Sequence, residues 1–307
     1  MTVIVRAVRP EHRVDVEAFV RVRQATLPYI LFTPESIAYD VNHAHPEAHL
    51  TALIAEEEGE AVGVATVNVA HDSPEPGIGN ANIYVHPERR GRGAGSALLR
   101  VAEDHLAAHG VRKVFSWVLD EPANHAFAER RGFQRRRPSR FLRLDLTGTL
   151  PPRAAVPDGV ELRSGADFAA DPRPVFALDA ETIRDEPSDV DMEFTQYEQW
   201  LADTWRHPLT SPELTTVALV DGEPAAFTLG RTDGTRYGTM MTGTARRFRG
   251  RGLARLCKTD ALHRARAAGC TDAYTGNDAD NGPMLAVNAS CGYRVSATEV
   301  RYVRELG

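Results

Sequence analysis

Cysteine is scarce in the 307-residue chain, and long apolar runs are missing. The three cysteines, Cys257, Cys270 and Cys291, are odd in number, lie only in the second half and show no CxxC spacing. That excludes a disulfide framework and a cysteine-built zinc site, and the three read as small core residues. No segment approaches the ~18 to 20 uninterrupted apolar residues of a membrane span, and Met1-Thr2-Val3-Ile4-Val5-Arg6 lacks the apolar stretch of a secretory signal, so a cytoplasmic protein is expected. A basic stripe is missing too. The 36 Lys and Arg are interspersed among 42 Asp and Glu for a net charge of −6, which argues against a nucleic-acid partner. With 42% apolar and 25% charged residues the composition is that of a globular protein, and the length suits two domains with a core each.

The chain repeats itself. Arg90-Gly91-Arg92-Gly93-Ala94-Gly95 is matched 159 residues later by Arg249-Gly250-Arg251-Gly252-Leu253-Ala254. Each hexad opens a helix-like run that ends at Gly110 or Gly269, and a glycine-aromatic pair follows, Gly132-Phe133 and Gly292-Tyr293. Between the copies, Leu146 to Gly159 carries the prolines and glycines of an extended connection. These landmarks predict an N-terminal domain over 1–148, a linker over 149–158 and a C-terminal domain over 159–307.

Periodicity fills in each copy. The first reads as a strand near Val3–Val8, helices over Val14–Gln24 and Pro34–Val41, and strands at Leu50–Glu56, Val62–Ala70 and Ala81–Val85. There follow a helix Gly95–His109, a strand Lys113–Leu119, a short helix Asn124–Arg130 and a strand near Phe141–Leu146. The second reads as helices near Val175–Ile183 and Tyr197–Trp205, strands Thr215–Val220, Ala225–Leu229 and Tyr237–Thr244, a helix Leu253–Ala267 and a last strand Glu299–Arg304. Hairpins first and a strand-helix-strand unit after them make each copy mixed α/β, with a mostly antiparallel sheet. Leu253, Cys257, Ala261 and Ala265 recur every four residues, a stripe that would lie on that sheet.

Both hexads lie between a strand and a helix, where the first N–H groups of the helix are unpaired and its dipole favours an anion. Glycine allows positive φ and leaves no Cβ in a ligand's way, so the turn suits a phosphate. A dinucleotide fingerprint belongs to the first βαβ unit of a parallel sheet, and a nucleotide triphosphate loop needs a lysine followed by Ser or Thr. Neither context is found here.

The run Val85-His86-Pro87-Glu88-Arg89-Arg90-Gly91-Arg92-Gly93-Ala94-Gly95-Ser96 resembles the acetyl-CoA signature of the GNAT superfamily of N-acetyltransferases, (Arg/Gln)-x-x-Gly-x-(Gly/Ala), and Arg249 to Ala254 fits it again. The resemblance covers nearly the whole chain and is to tandem members of the mycothiol-synthase-like, two-domain actinobacterial type. It implies acetyl-CoA as cosubstrate, with the pyrophosphate held by Arg90, Gly91, Arg92, Gly93, Ala94, Gly95 and Ser96, or by Arg249, Gly250, Arg251, Gly252, Leu253 and Ala254. Tyr84, Val85 and Thr244 would border the pantetheine arm, and Asn124 with Phe127, or Asn281 with Met284, would form a second CoA-contacting segment. The implied reaction is acetyl transfer to a primary amine of a small molecule, an antibiotic or amino-sugar metabolite, by direct attack on the thioester. Alternatives are a peptide or lysine amine, the thiol-precursor amine of the mycothiol branch, and a non-catalytic acyl-CoA sensor.

Catalytic groups are less legible. The family's acid tyrosine, four residues before the glycine-aromatic pair, is replaced by Ala128 and by Asn288. Candidates are Asn288 itself, Tyr84 on the strand before the first hexad, near which, or near Gly243 and Thr244, the resemblance implies a splayed strand with a free backbone N–H for the thioester oxygen, and His71 beside Asp72 as a loop proton acceptor; a loop histidine with no role is the bland reading of the last. The first copy has the better hexad context and is expected to be the firmer CoA binder. Asp179, Glu181, Asp185, Glu186, Asp189, Asp191, Glu193, Glu198 and Asp203 would draw a cationic amine to the second copy, or form a solvated face. His43, His45, Glu47 and His49 are interrupted by Pro46, so no metal is expected. Trp117, Trp200 and Trp205 read as core or cleft wall.

Overall fold

The computed structural model describes residues 2–187 and 196–306. The first repeat runs β1 (Val3–Ala7), α1 (Arg13–Thr26), α2 (Pro34–His43), β2 (Thr51–Glu57), β3 (Glu60–Val69), β4 (Ile78–Val85), α3 (Ala94–Ala108), β5 (Lys113–Leu119), α4 (Pro122–Glu129) and β6 (Gln134–Asp145). The second runs β7 (Val160–Ser164), α5 (Arg173–Thr182), α6 (Tyr197–Trp200), β8 (Thr216–Val220), β9 (Glu223–Thr232), β10 (Arg236–Thr244), α7 (Leu253–Ala267), β11 (Asp272–Asp278), α8 (Gly282–Ser290) and β12 (Arg294–Glu305). This is the mixed α/β order expected from periodicity. Strand β7 had no sequence reading. β6 and β12 begin earlier than expected because their first halves are exposed on both faces and carry no alternation.

The compact units are not the repeats. One consists of residues 1–138 and 298–307, the other of 139–297, so the expected limits of 1–148 and 159–307 follow the repeats but cut across the units. In the N-terminal unit the sheet runs β1-β2-β3-β4-β5 and is completed by β12, antiparallel to β5 from Glu299↔Leu119 to Glu305↔Lys113. In the C-terminal unit it runs β7-β8-β9-β10-β11 and is completed by β6, antiparallel to β11 from Ser139↔Asp278 to Asp145↔Asp272. Each repeat thus gives its last strand to the other repeat's sheet. Hydrophobic alternation fixes which face of a strand is buried but not which neighbour it pairs with, so the exchange leaves no trace in the pattern.

Each unit buries one long helix on its sheet. In the N-terminal unit Leu98, Leu99, Ala102 and Leu106 of α3 pack on Ala65, Val67 and Ala81, and the exchanged strand adds Val300 and Tyr302. In the C-terminal unit the predicted stripe of α7, Leu253, Cys257, Ala261 and Ala265, is buried along its whole length. The three cysteines are free and buried, as core residues. Trp200 and Trp205 stack at 5.8 Å within the cluster formed by α5, α6 and β8 to β9, which makes them core.

Candidate functional site

A fork opens in each sheet. β4 pairs with β3 as far as Val85, but with β5 only over Ile78–Asn80, and then leaves it. β10 likewise follows β9 to Thr244 but pairs with β11 only over Arg236–Thr239, with a bulge between Thr239 and Met241 where it departs. Parallel strands that separate expose backbone donors and acceptors into the gap, a place where a polar extended ligand can add itself to the ladder.

At the mouth of each fork lies a hexad. Gly93 (φ 97°) and Gly252 (φ 77°) start α3 and α7 without any side-chain cap, and Gly91 and Gly250 also take positive φ. The first intrahelical bonds are Ala97 N–H to Gly93 O and Leu256 N–H to Gly252 O, so the N–H groups preceding them in each first turn have no helical acceptor. A Cβ added at any of the four glycines would meet nothing within 4 Å. Both cradles are therefore open, donor-lined and at the positive end of a dipole, which fits a pyrophosphate. Gly95 differs: a Cβ there would lie 3.2 Å from the Phe127 ring, so this glycine lets α4 approach α3.

The arginines of the hexads are already engaged. Arg90 bridges to Glu121 at 2.6 Å and Arg92 approaches buried Glu57 at 3.5 Å. Arg249 donates to Thr244 O at 3.1 Å and to Asp185, while Arg246 reaches Asp185 at 2.6 Å. These cations hold Asp185 well below the usual carboxylate range. Arg251 lies over Phe248. The backbone of each loop, rather than its arginines, is what remains free for an anion.

The forks differ in what lines them. At offsets of 159 and 160 residues, Ile83, Leu99, Val118 and Ala128 of the first repeat correspond to Thr242, Lys258, Asn277 and Asn288 of the second. The first four belong to one hydrophobic cluster. The second four are polar and all buried, Lys258 to 2% and Asn288 to 0% exposure. Lys258 Nζ is 3.5 Å from Thr242 Oγ1, which in turn lies 3.3 Å from Thr228 Oγ1. Asn288 Nδ2 donates to Asn277 Oδ1 at 2.5 Å, and its own Oδ1 has no partner among the described residues. An unpaired buried polar group costs about 1 to 3 kcal/mol, and the N-terminal unit shows that this fold packs here with hydrocarbon alone. The polar lining is not a requirement of the fold.

The N-terminal fork is instead bridged from within: Asn82 Oδ1 accepts the Trp117 backbone N–H at 2.9 Å, and Asn80 Oδ1 accepts from Arg301 at 2.7 Å. Met241 occupies the position of Asn82 in the second repeat and has no group to make such a bond. On the α1 side, Tyr84 lies under the Arg23 guanidinium at 3.7 Å, and burial raises its hydroxyl above the ordinary tyrosine range. Glu299 from β12 faces Arg23 and Arg301, yet burial outweighs both and pushes it up to about 7. A raised carboxyl binds its proton more tightly when folded, so its burden on stability is nil at low pH, grows as pH rises from 4.5 to about 7 and is full above that. Glu299→Gln is accordingly expected to leave stability unchanged near pH 4.5 and to raise it by up to about 3 kcal/mol at pH 8, read by denaturant titration across that range. A loss of stability that grows as pH rises would instead mean that Glu299 is charged and paired.

Other expected residues are placed as follows. His71 stacks on His45 at 4.5 Å, and His49 on His109 at 3.9 Å, so the histidines are taken up in pairs. Asn124 donates to Leu119 O and Glu121. Asn281 Oδ1 caps α8 through the Met284 N–H at 3.2 Å, and Ser96 Oγ accepts from Arg131. In the acidic group, Glu181 accepts the Arg246 N–H and Asp203 accepts from Gln199. Asp179 is buried, accepts from Trp200 Nε1 at 2.8 Å and is raised by burial to about 7. Asp189, Asp191 and Glu193 lie outside the described residues. Sequence reasoning missed Lys258, Thr242 and Asn277; laying one repeat on the other residue by residue would have found them.

Comparison with known proteins identifies the family. Residues 17–133 match the acetyltransferase (GNAT) family and residues 191–281 an acetyltransferase (GNAT) domain. A mycothiol acetyltransferase of Amycolatopsis mediterranei is 31% identical over 268 residues, 83% of this chain and 84% of that protein. One from a Nocardioides species is 29% identical over 238 residues, 73% of this chain and 80% of that protein. Among solved structures, a tandem GNAT protein from the clavulanic acid biosynthesis pathway superposes with a TM-score of 0.75 at 21% identity, covering 100% of this chain and 99% of that one.

Proposed function

We propose, for a chain that belongs to the GNAT family of N-acetyltransferases, that the C-terminal unit does the chemistry. It would move acetyl from acetyl-CoA to the primary amine of a small molecule by direct attack on the thioester. The observation that carries this reading is the buried polar set Thr242, Lys258, Asn277 and Asn288 at four positions where the other fork has Ile83, Leu99, Val118 and Ala128. It departs from the expectation that the first hexad marks the firmer site.

The backbone of Gly250 to Leu253 would hold the pyrophosphate, with Thr244 and the end of β10 beside the pantetheine and Met284 at its flank. Bound acetyl-CoA supplies an activated acyl group with a thiolate as leaving group. In the segment of β10 beyond Thr239, the N–H groups facing away from β9 have lost β11 as partner and point into the fork. Such preorganised donors suit the carbonyl oxygen as it gains charge. Asp179, one helical turn before Thr182, changes charge near neutrality on the α5 side. Thr182 Oγ1 would lie 2.3 Å from a Cβ on Gly243, so α5 packs directly on the forked segment of β10. Alignment of two reactants in such a gap is itself a large part of the rate.

The relatives' description as mycothiol acetyltransferases supports a small-molecule acceptor over a protein one. The test is amine-dependent release of free CoA with a panel of amino sugars, aminoglycosides, N-terminal peptides and lysine peptides. Turnover with small amines, and none with peptides, is the expected result. Release with peptides alone would move the acceptor class, and tight acetyl-CoA binding without release under any acceptor would make the chain a sensor.

A further inference from the structure

An ammonium group buried without a counter-ion is a poor structural choice. Lys258 sits in the second turn of α7 with 2% exposure. Among the described residues its nitrogen has one polar neighbour at the limit of hydrogen bonding, Thr242 Oγ1 at 3.5 Å, and it lies 5.5 Å from the centre of the Tyr293 ring. The same position of the first repeat is Leu99, fully within the apolar cluster under α3. Thr242 belongs to the part of β10 that has left β11, so the lysine reaches the wall of the fork from the helix side. The family's acid tyrosine is absent, and Asn288, which stands in its place, is held by Asn277 and has no proton of acidic character to give.

We propose that Lys258 is the general acid of the C-terminal unit, donating a proton to the thiolate as it leaves. The acceptor nitrogen forms its bond to the carbonyl carbon and the carbon–sulfur bond breaks with its electron pair on sulfur. Sulfur takes a proton from the Lys258 ammonium, and the acceptor's surplus proton, released into the fork, returns the Lys258 amine to its charged form. The groups facing it favour this. They are Thr242 from β10, and Cys291 and Tyr293 from the segment after α8. On its own helix Cys257 is buried and Asp260 is engaged by Arg264 and Thr216. With no carboxylate of the described residues against it, burial lowers the amine to about 8, close to the ~8.5 of an ordinary thiol. An acid matched to its leaving group transfers a proton without a large driving-force deficit.

This assignment rests on the reading that the C-terminal unit is the working one, and the experiment separates the two. Lys258→Met and Lys258→Leu, the latter being the residue of the first repeat, are compared with wild type and with Gly252→Glu. Three readouts are taken: thermal midpoint, kcat with an accepted amine, and the pH at which the thiol of bound free CoA ionises, followed by thiolate absorbance. Both Lys258 variants are expected to melt higher, because an unpaired charge is removed. They should lose ~100-fold or more in kcat, and bound thiol should ionise at a pH higher by about one unit or more. A structural lysine would move the midpoint alone. Unchanged kcat and thiol ionisation in a protein that Gly252→Glu inactivates overturns Lys258 as the acid and leaves the site reading standing. Turnover that survives Gly252→Glu overturns both.

Discussion

Gly252→Glu is expected to weaken acetyl-CoA binding by the C-terminal unit by roughly 30- to 1,000-fold and to abolish turnover with it, whereas Gly93→Glu leaves turnover intact. The side chain has room, since a Cβ at Gly252 meets nothing within 4 Å, and it would project where the unpaired N–H groups of α7 converge. A carboxylate about 4 Å from a phosphate is opposed by roughly 4 kcal/mol at the effective dielectric of a protein surface, partly offset by the helix dipole that attracts both. Gly252 also takes φ 77°, so any side chain there carries backbone strain. Gly252→Gln controls for it, sharing shape and strain without the charge. Calorimetric titration of acetyl-CoA into all three variants gives the answer. Equal loss in Gln and Glu would assign the effect to strain, and undiminished binding in Gly252→Glu would remove the cradle from the site.

Much of this was legible in the sequence, for a physical reason. Glycines at positive φ, helix starts without caps and an apolar stripe every four residues are local properties, and local properties are written in consecutive residues. That is why both hexads, the extent of α7 from Leu253 to Ala267 and the strand Lys113–Leu119 are found where the sequence places them. The fork is not local. It arises because β4 and β10 stay with one neighbour while leaving the other, and no single strand records that. The buried polar lining was hidden for a related reason. Lys258 occurs in a helix rich in arginine, where one more cation looks like surface, and only its position against Leu99 shows that it points inward. The acidic residues of the second repeat read in sequence as a lure for cations or as a solvated face, and the sequence does not record that two of them, Asp185 and Glu181, bind Arg246 and Arg249.

A fragment of residues 1–148 is expected not to fold, although it contains a full repeat with every motif in place. It would keep β6 and lose β12, leaving β5 as a bare edge of seven residues and removing Val300, Tyr302 and Val303, each 5% exposed or less. At about 1.5 to 3 kcal/mol per buried side chain, three such losses amount to roughly 5 to 9 kcal/mol, against a total stability of about 5 to 15 for a domain. The orphaned β6 makes matters worse. Phe141, Leu142 and Leu144, buried against the C-terminal sheet in the intact chain, would stand in water beside an open strand edge, a combination that favours aggregation. A chain joining 1–138 to 298–306 through a flexible Gly/Ser loop contains every residue by which β12 pairs with β5 and lacks Ser139–Asp145, the part of β6 that pairs with β11, and is expected to be soluble and cooperatively folded. Circular dichroism and thermal melting of the two distinguish the cases. Cooperative folding of 1–148 alone would show that β6 can take the place of β12 beside β5, so that the exchange is an option of the fold and not a condition of it.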